Sequence, residues 1–149
     1  MTHATSTLND VIETLKDGQE GFRTAAEDIA NPELKSLFRE YSQQRSKFVS
    51  ELQSLARSLG EPEPEDRGSV AGALHRGWID LKSALASRDE HAILAECERG
   101  EDVAVKTYKD ALEDPDLPAN VRQTLQSQFV AVKSAHDRVR DLRDSRKRD

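Results

Sequence analysis

Four long stretches of this chain repeat apolar residues at seven-residue intervals, each with a second row a few residues out of step with the first. On an α-helix such rows merge into one stripe; on a strand they would scatter over both faces. The first stretch covers about residues 6–30. Leu8, Leu15, Phe22 and Ile29 form one row, and Ile12, Gln19 and Ala26 the other; Glu13, Glu20 and Glu27 fall on the opposite, solvated face. Asn31-Pro32-Glu33 then reads as a stop and restart, because asparagine caps a helix start and proline suits its first position. The second stretch, 32–59, carries Leu34, Tyr41, Phe48, Leu55 and Phe38, Arg45, Leu52, Leu59, with Gly60 placed to end it. The third, 89–112, carries Leu94, Glu101, Tyr108 beside Cys97, Ala104, Ala111. The fourth, 118–143, carries Leu125, Val132, Val139 beside Phe129, His136, Arg143. A shorter helix is expected over 69–87, burying Val70, Leu74, Trp78, Leu81 and Leu85, with Gly72 and Gly77 allowing close approach.

No helix of this kind buries its stripe alone, so an all-α four-helix bundle spanning residues 1–149 as one domain is the economical solution. Short turns at 31–32 and 114–118 make two antiparallel hairpins, echoed by Phe22 and Tyr108, which each stand ten residues before a turn proline. The connection between them, 61–88, is long enough to carry the chain back to the other end. That crossover is how ferritin-like bundles are wired. Composition agrees. Aromatics are only 5 % and charged residues 34 %, which leaves leucine, valine and alanine to make the core. A net charge of −6 does not suit a nucleic-acid or anionic-membrane partner. No apolar run approaches the ~20 residues of a membrane span, and the start lacks a signal-peptide pattern, so a cytoplasmic protein is expected. One cysteine excludes an internal disulfide.

Four runs carry a resemblance. Asp17-Gly-Gln-Glu-Gly-Phe22, Gln44-Arg-Ser-Lys-Phe-Val-Ser-Glu-Leu52, Gly68-Ser-Val-Ala-Gly-Ala-Leu-His-Arg-Gly-Trp78 and Glu96-Cys-Glu-Arg-Gly-Glu-Asp102 are similar to those of an uncharacterised bacterial family. That family is a domain of unknown function placed in the ferritin-like superfamily and described as a four-helix bundle. The resemblance spans about Leu8 to Leu142. It implies the bundle fold and no activity, since the family has none established.

The informative residues are the polar ones that interrupt the stripes: Gln19, Arg45, Glu101 and His136, with Glu98 and Gln128 at the edges. With a crossover, Gln19, Arg45 and Glu101 fall at one level, and His136 lies ~9 Å along the axis. One reading is a metal site. Ferritin-like di-iron and di-manganese proteins use a glutamate from each of two helices and Glu-x-x-His from the other two. Glu98, Glu101 and His136 are the candidate ligands, for iron or manganese. The pattern departs from that set: Lys133 stands where a glutamate should precede His136, Glu40 and Glu51 are followed three on by Gln43 and Ser54, and Arg45 would repel a cation. The other, preferred reading is a buried polar cluster. Arg45 pairs with Glu101, and Gln19 with Gln128 or Tyr41 satisfies what remains. On that reading no cofactor is expected, and the chain is a non-enzymatic interaction or homo-oligomer-forming protein whose partner the sequence does not name.

Other features take bland readings. Cys97 packs as a small apolar residue. No nucleophile motif or phosphate-binding loop is present, and the only methionine, Met1, leaves no haem ligand in the bundle. His75 and Trp78 dock the short helix, with a ligand pocket beneath it as the sharper alternative. The Arg138–Arg148 tail is basic but interleaved with Asp137, Asp141 and Asp144, so it is a solvated end. Gly18, Gly21 and Gly100, each worth ~1 kcal/mol against alanine in a helix, mark close contacts.

Overall fold

In the computed structural model the described residues are 3–61 and 77–146. Among them the chain forms five helices and no strand: α1 (His3–Asp28), α2 (Pro32–Ser58), α3 (Leu81–Ser87), α4 (Glu90–Leu112) and α5 (Ala119–Asp144). The 31–33 turn works as its residues predict. The Asn31 side chain accepts the Glu33 N–H at 2.9 Å and the Leu34 N–H at 3.2 Å, two donors that a helix start leaves open. Lys35 Nζ donates to Ala26 O at 2.6 Å and Glu27 O at 3.3 Å, so the first turn of α2 caps the last turn of α1. Gly60 ends α2 with φ +98°, a conformation that suits glycine. Asp89 starts α4 by accepting the His91 N–H at 3.0 Å.

The turn between α4 and α5 is built on Asp114. Its carboxylate accepts the Asp116 N–H at 2.9 Å and the Thr7 hydroxyl at 3.1 Å. Arg122 donates to Leu112 O at 2.7 Å and Asp114 O at 2.5 Å. One turn thereby ties the first turns of α1 and α5 together.

The expected helix over 69–87 is corrected. Among the described residues the helix covers Leu81–Ser87, and residues 77–80 precede it in a non-helical turn. Gly77 is the reason: its φ of +100° breaks right-handed helix there and turns Trp78 inward. Val70, Gly72, Leu74 and His75 lie outside the described residues.

Polar pairs give the directions of the long helices. Ser42 Oγ donates to Gln19 O at 3.0 Å while Lys35 reaches Ala26, so α1 and α2 run oppositely. Thr7 with Asp114 and Thr14 with Thr107 (3.5 Å) order α1 against α4 in the same way. Tyr108 with Gln128, and Asp102 with His136, do so for α4 and α5. No Cα of α2 comes within 8 Å of one in α4, so these two lie across a diagonal.

The interior has two apolar clusters. One gathers Leu8, Ile12 and Leu15 of α1 with Leu52, Tyr108, Leu125 and Val132. The other gathers Phe22, Phe38, Trp78, Leu81, Leu94, Cys97 and Val139. On α2 the first begins at Val49 and the second ends at Tyr41; on α4 the boundary falls between Cys97 and Ala104. Arg45 and Glu101 stand in those two gaps.

Candidate functional site

Arg45 and Glu101 meet at this waist. Nη1 donates to Oε1 and Nη2 to Oε2, both at 2.6 Å, and both side chains are 0 % exposed. A two-point guanidinium–carboxylate fork is the strongest form of such a contact, because both bonds are charge-assisted and coplanar. Arg45 Nε donates to Gln44 Oε1 at 3.1 Å, and its guanidinium carbon lies 5.5 Å from the centre of the Phe22 ring. Burial alone would lower the guanidinium pKa, but the Glu101 carboxylate more than offsets it and holds the group charged. Gly18 makes the room: a Cβ there would stand 3.4 Å from Arg45 Nη1, and any longer side chain would displace the guanidinium.

Two residues expected in this cluster sit elsewhere. Gln19 is half-buried, and its contact with α2 is made by its backbone carbonyl, which accepts Ser42 Oγ. Gly18, one residue back, is what faces Arg45. Gln128 is buried in a cluster of its own. Its Oε1 accepts the Tyr108 hydroxyl at 2.8 Å, and its Nε2 donates to Glu51 Oε1 at 3.1 Å and Phe48 O at 3.4 Å. This amide joins α2, α4 and α5 where α2 and α5 touch only briefly. Burial pushes the Tyr108 phenol well up, so it stays a donor. Tyr108→Phe removes the donor and leaves the acceptor buried, so it should cost about 1–3 kcal/mol. Urea unfolding would show this as a lower midpoint with an unchanged slope.

Glu98, Glu101 and His136 do not converge. Glu98 pairs with Arg143, and Glu101 gives both oxygens to Arg45. His136 Nε2 lies 2.5 Å from Asp102 Oδ1 and its Nδ1 lies 2.9 Å from Asp137 Oδ1. The donor set therefore does not fit a dinuclear iron or manganese centre: one carboxylate is neutralised by a buried guanidinium, a second by a surface one, and the imidazole is spent on two aspartates. Among the described residues, no three or more His, Cys, Asp or Glu side chains are grouped to hold a metal ion. Asp102 is the partner that stripe counting did not supply, since it lies beside the stripe and not on it, whereas Arg143 stands in the row of Phe129 and His136.

Asp137 has its own pH signature. Hydrogen bonds from Lys133 Nζ, at 2.7 Å, and from His136 hold its carboxyl down at about 2. A carboxylate held down in the folded state contributes stability that is present above its unfolded value and lost as pH falls through the folded one. Asp137→Asn should lower the urea midpoint at pH 7, and the difference from wild type should shrink between about pH 4 and pH 2. A difference independent of pH would show that the charge of Asp137 is not what matters.

Trp78 explains two of the marked glycines. It is 8 % exposed and meets Phe22 edge-on at 5.1 Å. A Cβ at Gly21 on α1 or at Gly100 on α4 would fall inside the indole. The ring is a wedge between two helices, so the space once open to a ligand-pocket reading is filled at this end. Cys97 is fully buried, and burial pushes its thiol well up, which matches a packing role. A cleft of about 600 Å³ lies between α1 and α4 near Thr7, Asp10, Thr107 and Asp110. Among the described residues no helix is long and apolar enough to cross a membrane.

No curated protein gives a significant match to the chain. The family profile described as a domain of unknown function matches residues 3–114 of the 149, which takes in α1, α2, α3, α4 and the waist pair, and the chain belongs to that family, DUF2383.

Proposed function

We propose that this chain is a ferritin-like bundle in which an ion pair stands where such a fold would keep its metal, and that it acts non-enzymatically in the cytoplasm. The observation that carries the reading is the forked Arg45–Glu101 contact, which commits both carboxylate oxygens and a fixed positive charge at the centre of the core. The opposite directions of α1 and α2, and of α4 and α5, support two hairpins with residues 61–88 as the crossover. With its interior taken up by packing and paired charge, the molecule works through its surface, by self-association or by binding a protein partner. Light scattering on the untagged protein separates those two modes.

The test is elemental. Protein purified without affinity tag or chelator should carry no stoichiometric iron or manganese, and adding either ion should leave its melting temperature unchanged. Stoichiometric metal that is lost in Glu101→Ala would overturn the proposal in favour of an iron- or manganese-binding protein that uses Glu98, Glu101 and His136.

A further inference from the structure

Glu96 on α4 is a buried carboxylate held by an ion pair with Arg99 and by no well-aligned hydrogen bond. Its side chain is 2 % exposed, yet neither oxygen accepts a well-formed hydrogen bond among the described residues. Such an orphan is uncommon and calls for an explanation. Its nearest cation is Arg99, three residues on. Arg99 Nη1 lies 3.1 Å from Glu96 Oε1 and 3.1 Å from Asp80 Oδ2, and is angled to bond Asp80 alone. Arg99 itself is 54 % exposed. Beside the three charges a cleft of about 380 Å³ opens between α3 and α4, walled by Ala84, Ala92 and Ala95 with Ser83 and Ser87 at its edge. Burial pushes the Glu96 carboxyl above its usual range, and Arg99 with a contact from the Asp80 backbone draws it only partly back.

The two carboxylates converge on one point, now held by a guanidinium nitrogen that meets the charge requirement and misses the direction. A primary ammonium is compact and carries three rotatable donors, so from that point it can serve Asp80 Oδ2 and Glu96 Oε1 together. Its alkyl chain would lie along the alanine wall. We propose that this cleft binds a small aliphatic primary amine, with Glu96 and Asp80 taking the ammonium and Arg99 as the internal competitor that it displaces. The inference does not rest on the Arg45–Glu101 reading.

The only tryptophan, Trp78, reports on this region without a label, because Gly77 backs directly onto the Arg99 carbonyl. The probes are n-butylamine, 1,4-diaminobutane and tetramethylammonium, which has the charge and no N–H. At pH 8 the two amines should change Trp78 emission saturably, and tetramethylammonium should not. Glu96→Gln should weaken amine binding about tenfold or more, the loss of a charge-assisted hydrogen bond. Arg99→Ala should tighten it severalfold. NMR shifts of the Ala92 and Ala95 methyl groups give a second, independent readout. Tetramethylammonium saturating at the same midpoint, Glu96→Gln binding like wild type, or no saturation by either amine at millimolar concentration would each overturn the proposal.

Discussion

Arg45→Leu should destabilise the protein by about 3–5 kcal/mol, because it strands the fully buried Glu101 carboxylate without its partner. Arg45→Leu/Glu101→Leu together should recover much of that loss, since two apolar side chains need no compensation. In a 149-residue domain a change of this size moves the melting temperature by roughly 10 °C or more, so calorimetry resolves both steps. The same contrast weighs the pair itself. Its net worth is small, as desolvation consumes most of the attraction, while the penalty for breaking one side is large. A double variant as damaged as the single one would show that the fork is not what the site depends on.

The second large effect is a reversal of sign. Gly100→Ala puts a methyl group into the Trp78 indole, and should cost about 1–3 kcal/mol or more as the ring is forced out. Trp78→Ala alone should cost about 3–5 kcal/mol, the usual loss for a large aromatic cut from a core. In the Trp78→Ala background the cavity receives the new methyl group. Alanine's helix preference then takes over, and Gly100→Ala should stabilise by up to about 1 kcal/mol. Chemical denaturation of the four proteins of this cycle measures the coupling directly. Additive effects would mean that the glycine is there for some reason other than the indole.

Helix identity and the waist pair were legible because each is a local pattern. A stripe of leucines interrupted by a single arginine, or by a single glutamate, announces a buried charge that must find its opposite, and Arg45 and Glu101 are the only such pair of opposite sign at one level. The errors share a cause. Rows drawn every seven residues drift against the true helical period of ~3.6 per turn. On α1 the drift turned Gln19 toward the edge and hid the Val11, Gly18, Ala25 row, which is buried because α1 is flanked by both α2 and α4. Gln128 was recognised as polar and near the core, yet its partner was chosen by level and not by reach, and Tyr108 was nearer. Trp78 left no local trace beyond Gly77: the glycines that receive it lie 57 residues before it and 22 after it, and no periodicity links them. His136, grouped by type with Glu98 and Glu101 as a candidate ligand, instead meets Asp102, the residue after Glu101 on α4.

The diagonal placement of the waist pair carries a last consequence. Arg45 and Glu101 belong to helices whose backbones do not approach closely, and they stand between two oily compartments. If one compartment loosened while the other stayed intact, the fork would be pulled open with no solvent at hand to receive either charge. The molecule should therefore have no half-melted form of its own, and slow amide exchange on either side of the waist should be governed by a single global opening, as in a protein that is one foldon from end to end.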